Sequence, residues 1–212
     1  DTAEMFEQLK GILRNIENKQ IIALVSEFIN DKELMEKFCR APAAMKMHHN
    51  YLGGLLEHTC SMLRSAEALL PLYPEVQADL VLAGILIHDI GKTEELAYEI
   101  SFEYTDTGQL VGHITKSVLM LHEKARAAAE KGTEIEPQIM DSLSHIILAH
   151  HGKYEFGSPK IPATAEAFMV NYIDDMDAKI KQVTSAVEND PGDEDWTAWQ
   201  NSLQTRIYTK KI

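Results

Sequence analysis

A run of eight mostly apolar residues, Leu80 to Ile87, leads directly into His88 and Asp89. The run has no polar face, so it predicts a helix that is buried on every side. An imidazole and a carboxylate at the end of such a helix are costly unless something compensates them. A divalent cation is the strongest compensation, because it takes both groups as ligands and balances the charge of Asp89. The pair therefore predicts a metal centre, provided that other segments supply further ligands.

The composition is that of a globular domain with an acidic surface. The 212 residues are 45% apolar and 25% charged, which suits one well-filled core. The net charge of −13 argues against a protein that grips nucleic acid mainly by its own basic surface. A polynucleotide substrate would have to be held by metal ions and a few local cations, or by another domain.

Composition also bears on location. No stretch approaches the roughly 18 uninterrupted apolar residues of a membrane span, and the acidic, amphipathic beginning is unlike a signal peptide. The two cysteines, Cys39 and Cys60, cannot form a disulfide framework. We expect a cytoplasmic protein with no membrane partner.

Helical periodicity dominates the chain, and we predict an all-α fold. Helices are expected at about 114–131, 137–150 and 163–187, while Asp31 and Asp79 are expected to be N-caps. The exception is a small β-hairpin near 99–112. There Ile100, Phe102 and Tyr104 alternate with polar residues, and "TDTG" supplies a turn.

We expect a single domain over residues 1–212 with three parts. Residues 1–45 are predicted to form N-terminal helices, and residues 46–187 the core that carries the metal site. Residues 188–212 are predicted to form an acidic loop and a C-terminal helix in which Trp196 and Trp199 pack.

Histidines and aspartates recur on the other predicted helices. Each lies on a rigid helical support, and together they would make a mixed nitrogen and oxygen site of the kind that helical bundles build. The candidates in chain order are His58, His88, Asp89, His113, His150 and Asp174.

The order His … His-Asp … Asp, centred on "HDIGK", resembles the HD-domain phosphohydrolase superfamily. "HHNYLGGLLEHT" before it and "GHITKS", "HIILAHHGKYEFGSPKIPAT" and "NYIDDMDAKI" after it are more narrowly similar to the YhaM-type 3′→5′ exoribonucleases. The resemblance runs from about His48 to Lys179. The full-length family also carries an N-terminal OB-type domain, and no counterpart of it is recognised in these 212 residues.

The resemblance implies that His58, His88, Asp89 and Asp174 bind metal. In two-metal members a later histidine and one from a His-His pair join them, and these positions fall on His113 and His150. Asp89 would then bridge the ions.

Three positions leave alternatives open. Asp175 and Asp177 follow Asp174 by about 100° and 300° around the helix, so one face cannot hold all three, and either could be the ligand instead. His151 could contact substrate or a second metal, or cap the helix end. His49 could line the entrance to the site or be structural. His122 and His145 are expected to lie outside the site.

Lys92 is predicted to contact phosphate. An ammonium beside a cation site is unfavourable unless an anion lies between them, and a phosphate group would supply that anion. We therefore assign catalysis to Asp89 and Lys92, and substrate binding to Lys92, His151 and His49.

The predicted reaction is metal-dependent hydrolysis of a phosphodiester by a metal-activated water. One or two ions are expected, with Mn favoured by the resemblance and Fe, Co, Ni or Zn also compatible with the ligand types. The implied substrate is the 3′ end of single-stranded RNA or DNA. The alternatives are a phosphohydrolase of nucleotides or cyclic nucleotides and, less favoured, a di-iron oxygenase on the same fold.

Overall fold

A computed structural model describes residues 1–43, 51–97, 103–190, 192 and 194–210. Within these residues the chain forms a bundle of helices with one two-stranded sheet. The elements are α1 (Thr2–Leu13), α2 (Lys19–Ile29), α3 (Lys32–Arg40), α4 (Gly54–Leu69), α5 (Ala78–Ile87), α6 (Lys92–Glu95), β1 (Leu96–Ala97), β2 (Glu103–Tyr104), α7 (Asp106–Val111), α8 (His113–Glu130), α9 (Pro137–Ala149) and α10 (Ala165–Glu188). Short 3₁₀ turns follow α4 at Leu70–Leu72 and α9 at Tyr154–Phe156.

Helix α5 is the centre of the bundle. Every residue from Leu80 to Ile87 is buried, and α4, α9 and α10 pack around the helix. At Gly84 a Cβ atom would lie 2.8 Å from Cγ2 of Ile146, so α9 packs directly on the α5 backbone. The prediction of a helix buried on every side is confirmed. Although α5 is apolar on all sides from Leu80 onward, its ten residues are too few to span a membrane. No described helix is long and apolar enough to do so.

The two predicted N-caps have different outcomes. The Asp31 carboxylate accepts a hydrogen bond from the backbone N–H of Leu34 at 3.0 Å and caps α3, as predicted. Asp79 does not cap α5, because the cap position is Gln77. The Asp79 carboxylate instead accepts hydrogen bonds from the backbone N–H groups of Glu17 (3.2 Å) and Asn18 (2.7 Å). It therefore ties the first turn of α5 to the α1–α2 connection.

Among the described residues, the sheet begins earlier than predicted. β1 and β2 pair antiparallel with Leu96 opposite Tyr104, and Ile100 and Phe102 lie outside the described residues. The "TDTG" segment is not the turn of a hairpin. It begins α7, because the Thr105 hydroxyl accepts a hydrogen bond from the N–H of Gly108 at 2.8 Å and caps that helix.

The predicted C-terminal helix is wrong for the residues described after Glu188. They form turns with two isolated antiparallel bridges, Trp196 with Tyr208 and Gln200 with Thr205. The rings of Trp196 and Tyr208 lie 5.1 Å apart between centroids. An aromatic cross-strand pair of this kind stabilises extended pairing, which outweighs the helical spacing of the sequence.

We predict that Asp31→Ala lowers the free energy of unfolding by about 1 kcal/mol, because it removes the α3 cap. The same carboxylate accepts a hydrogen bond from Lys124 on α8 at 2.6 Å. This bond has the largest effect in lowering the pKa of Asp31, and the bond from the Leu34 N–H has the next largest. The stabilisation is therefore present at neutral pH and is lost as the pH falls through that pKa.

Chemical denaturation at neutral and acidic pH measures this effect. The matched control is Glu33→Ala, which removes an exposed carboxylate that pairs with Lys37 in the same helix and should cost less than about 0.5 kcal/mol. Equal losses for the two variants would contradict the role given to Asp31.

Candidate metal centre

The six predicted ligands come together at one end of the bundle. His58 lies in the second turn of α4, His113 is the first residue of α8, and Asp174 lies within α10. His88 directly follows α5, and His150 directly follows α9. The centroid of the His88 imidazole lies 5.5 Å from that of the His58 ring and 5.0 Å from that of the His150 ring. Side chains from five helical segments thus meet around one centre.

Two groups of three side chains could each hold a metal ion, because the ligand atoms within each group lie within 4.8 Å of one another. The first group consists of His58, His88 and Asp174, and the second of His113, His150 and His151. Asp89 faces both groups. Its Oδ2 lies 3.4 Å from Nε2 of His88, whereas its Oδ1 lies 3.4 Å from Nε2 of His113 and 3.5 Å from Nε2 of His150. The arrangement can accommodate one or two divalent cations.

Four buried atoms at this centre have no hydrogen-bond partner among the described residues: Nε2 of His88, Oδ1 of Asp89, Nε2 of His113 and Nε2 of His150. Each such atom costs roughly 1–3 kcal/mol when it is left unpaired. All four have lone pairs suited to a transition metal. The residues present therefore fit a divalent cation, which would satisfy them together.

The other ring nitrogen of each histidine is held from outside the centre. Nδ1 of His88 lies 2.7 Å from the carbonyl oxygen of Ile85, and Nδ1 of His150 lies 2.7 Å from that of Ile147. A carbonyl oxygen only accepts, so Nδ1 carries the proton and Nε2 keeps its lone pair. Both bonds reach back three residues, to carbonyl groups that are unsatisfied at the end of a helix. The local helix ending thus aims each imidazole inward.

Carboxylates orient two further histidines, and sequence reasoning did not assign them this role. Asp177 Oδ2 lies 2.7 Å from Nδ1 of His58, and Glu95 Oε1 lies 3.1 Å from Nδ1 of His113. Glu95 is largely buried, and its pKa is lowered because His113 outweighs the opposing effect of burial. Partners of this kind fix the tautomer of a ligating histidine and raise its basicity.

The cluster of acidic residues on α10 divides between two faces. Asp174 Oδ1 lies 3.3 Å from Nε2 of His58, and Asp177 contacts the opposite nitrogen of the same ring. Asp175 is turned outward and pairs with Lys179 at 2.6 Å. Although burial opposes it, the two carboxylates that flank His58 raise the pKa of this imidazole to about 9. Of the three candidates, only Asp174 faces the ligand nitrogen.

Lys92 contacts Asp89 directly. Its Nζ lies 2.6 Å from Asp89 Oδ2. Burial would raise the pKa of Asp89, but the Lys92 ammonium holds it well below its usual range. Asp89 is therefore an ionised carboxylate within the core, and the Lys92 ammonium pairs with it.

The remaining histidines lie at varied distances from the centre. The His151 ring lies 4.3 Å from that of His150 and 5.4 Å from that of His113, between centroids. His122 is exposed, and His145 accepts a hydrogen bond from the N–H of Ala163 at 2.9 Å. His49 lies outside the described residues.

Comparison with known proteins identifies this arrangement. The family model for the HD domain matches residues 55–179, which contain the whole centre. The chain belongs to the HD domain family. No solved structure matches it.

Curated relatives of this HD domain share one printed name. Proteins named 3′-5′ exoribonuclease YhaM from Bacillus pumilus and Bacillus subtilis are each 38% identical over 208 residues, which is 98% of this chain and 63% of theirs. The protein of that name from Shouchella clausii is 40% identical over 191 residues, covering 90% of this chain and 58% of its own. The chain thus spans less than two thirds of the length of these relatives.

Gly91, within the "HDIGK" motif of this HD domain, sets the distance between the two segments that carry Asp89 and His113. A Cβ atom at Gly91 would collide with the carbonyl oxygen of His113 and would lie 2.9 Å from the backbone nitrogen of Ser117. The Gly91 N–H also donates to Ser117 Oγ at 2.9 Å. The glycine is thus required by close packing on α8.

We predict that Gly91→Ala lowers the free energy of unfolding by roughly 1–3 kcal/mol, because the backbone of α8 must move to admit the methyl group. The shift would also take His113 away from Asp89. Chemical denaturation measures the effect. Gly11→Ala is the control, since no atom lies within 4 Å of a Cβ there and alanine favours a helix interior. A neutral or stabilising effect of Gly91→Ala would contradict the packing argument.

Proposed function

We propose that this HD domain hydrolyses phosphodiester bonds with the help of a divalent metal, and that it acts as a 3′→5′ exoribonuclease. The observation that carries the proposal is the set of four unpaired nitrogen and oxygen atoms that converge in the core around Asp89. The printed name of the relatives supports RNA as the substrate. The metal ligands proposed are His58, His88, Asp89, His113, His150 and Asp174, with Asp89 between two ions and His151 available to the second group or to substrate.

We propose a transition metal, because imidazole and carboxylate ligands together suit one better than magnesium. Among these metals we favour manganese, on the resemblance to the YhaM-type exoribonucleases. Fe, Co, Ni and Zn are compatible with the same ligands. When bound, such an ion lowers the pKa of a water molecule so that hydroxide is available near neutral pH.

The chain's own residues contribute orientation and charge. The imidazoles are held by their Nδ1 hydrogen bonds, so they need no reorganisation when the substrate arrives. The Lys92 ammonium lies beside Asp89 Oδ2 and balances negative charge on the non-bridging phosphate oxygens as the phosphorus is attacked. We propose Asp89 and Lys92 as the two residues on which the chemical step depends most.

Neither cysteine is positioned as a competing nucleophile. Cys60 Sγ donates to the carbonyl oxygen of Met5 on α1 at 3.3 Å, and burial raises the pKa of this thiol to about 11. Burial also raises the pKa of Cys39. Both remain thiols at neutral pH, in which form they are poor nucleophiles. This supports direct attack by water.

We further propose that residues 1–212 act as one domain, in which 46–187 carry the site, and that the protein works in the cytoplasm. The two cysteines are free thiols, as is usual in a reducing compartment.

The decisive experiment incubates the protein, stripped of metal and reloaded with Mn, with a 5′-labelled single-stranded oligoribonucleotide. A ladder that shortens from the 3′ end, with release of 5′-mononucleotides, is the expected result. Asp89→Asn should reduce the rate by at least about 100-fold, since it removes both the bridging charge and the partner of Lys92. His122→Ala, an exposed site outside the centre, is the control.

Other products would change the assignment. Turnover confined to mononucleotides or cyclic nucleotides would replace the exonuclease by a small-nucleotide phosphohydrolase. Oxygen consumption by the iron-loaded protein without phosphoester hydrolysis would indicate an oxygenase.

A second prediction concerns Asp177. Asp177→Ala should weaken Mn binding about 10–100-fold, the usual effect of removing the partner that orients a ligating histidine. Equilibrium dialysis of Mn measures it. Asp175→Ala is the matched control, because that carboxylate lies on the same helix and points away from the centre. Equal affinity of the two variants would show that Asp177 does not act through His58.

A further inference from the structure

The loop that follows His151 presents two large aromatic side chains to solvent. Tyr154 and Phe156, in the 3₁₀ turn after α9, are 66% and 59% exposed. The turn is joined directly to the metal centre, because Nδ1 of His151 donates to the carbonyl oxygen of Phe156 at 2.9 Å. The same imidazole belongs to the second group of potential metal ligands. The backbone of Phe156, which carries an exposed aromatic ring, is therefore one hydrogen bond away from the site.

The loop is held firmly in this position. Its far end returns to α9, where the Lys160 N–H donates to the carbonyl oxygen of Leu148 at 3.1 Å. The Ser158 hydroxyl lies within hydrogen-bond distance of the carbonyl oxygens of Leu148 (3.0 Å) and Lys160 (2.7 Å). Gly157 adopts a φ of 80° and donates its N–H to the carbonyl oxygen of Tyr154 at 3.0 Å. These are backbone or serine contacts, and the Phe156 ring takes no part in them.

A cation accompanies the exposed ring. Lys153 Nζ lies 5.2 Å from the centroid of the Phe156 ring and 3.4 Å from a carboxylate oxygen of Glu155. Both charged side chains are exposed, so their ion pair contributes little stability, and Lys153 can turn towards another anion. A rigid aromatic face with an adjacent cation is the combination that binds the base and the phosphate of a single-stranded nucleic acid.

We infer that Phe156 is a stacking platform for a base of the RNA substrate, with Lys153 as a contact for its phosphate. The inference rests on the proposed function, and it explains how a chain of net charge −13 could bind RNA near its active site. Every base has an apolar face, so a stacking platform tolerates any sequence. Such tolerance suits an enzyme that removes successive nucleotides from one end.

The test compares two substrates of the Mn-loaded full chain. One is a short oligoribonucleotide, and the other has the same ribose-phosphate chain without bases at its 3′ end. Stacking on one aromatic ring should give the intact substrate roughly a 5- to 150-fold higher kcat/KM. Phe156→Ala should bring the ratio close to one through a higher KM for the intact substrate, while the rate on the base-free substrate stays the same. Phe156→Tyr, which keeps an aromatic ring, should keep the preference.

Tyr73→Ala is the matched control. Tyr73 is 46% exposed and follows the C-terminal end of α4, whereas His58 lies near the beginning of that helix. The helix alone separates the two positions by about 16 Å. This variant should show the preference of the unsubstituted protein.

Each other outcome has a distinct meaning. If Phe156→Ala degrades the intact RNA as well as the unsubstituted protein does, the platform is wrong and the exonuclease stands. If the variant loses activity equally on both substrates, Phe156 supports the loop and not a base, and the platform is again wrong. If the unsubstituted protein degrades neither substrate, the proposed function fails and the platform fails with it.

Discussion

The burial of an ionised carboxylate at Asp89 is the constraint on which the rest of the site depends. A charge of this kind in the core is tolerable only with positive or proton-donating neighbours. Lys92 lies 2.6 Å from one of its oxygens, whereas the other oxygen faces the unpaired Nε2 atoms of His113 and His150, where a cation would satisfy all three atoms. Two helices, α6 and α8, must therefore begin and one, α9, must end close to the end of α5, and the close approach at Gly91 is one result.

Much of this could be predicted from the sequence, because the strongest signals are local or periodic. An apolar run with no polar face requires a central helix, and Leu80–Ile87 forms one. Only a few histidines and aspartates fall on the predicted helices, and the order in which they occur along the chain suggests that they share one centre. The structure brings all six candidates together, while His122 and His145 lie apart from them, as predicted.

The parts that could not be predicted depend on partners distant in sequence. Asp177 serves His58 from 119 positions away, and no spacing rule distinguishes an acid that supports a ligand from one that acts as a ligand. Thr105 and Asp79 show the converse difficulty. Thr105 suits a turn as well as the helix cap that it forms, and Asp79 suits a helix cap as well as the contact that it makes with the α1–α2 connection. The outcome depends on which backbone N–H groups the fold brings near. The conformation of the C-terminal segment depends on the pairing of Trp196 with Tyr208, which the periodicity of a single stretch of sequence does not reveal.

The positions of His88 and His150 immediately after α5 and α9 have an electrostatic consequence. Each helix has a macrodipole whose negative end, equivalent to about half an elementary charge, lies at its C-terminus. Two such ends converge where the buried carboxylates already lie. Together with the buried carboxylates, these two ends favour a cation at the centre, although α8 begins there with its positive end. The direction in which the helices run thus contributes to the electrostatic character of this centre.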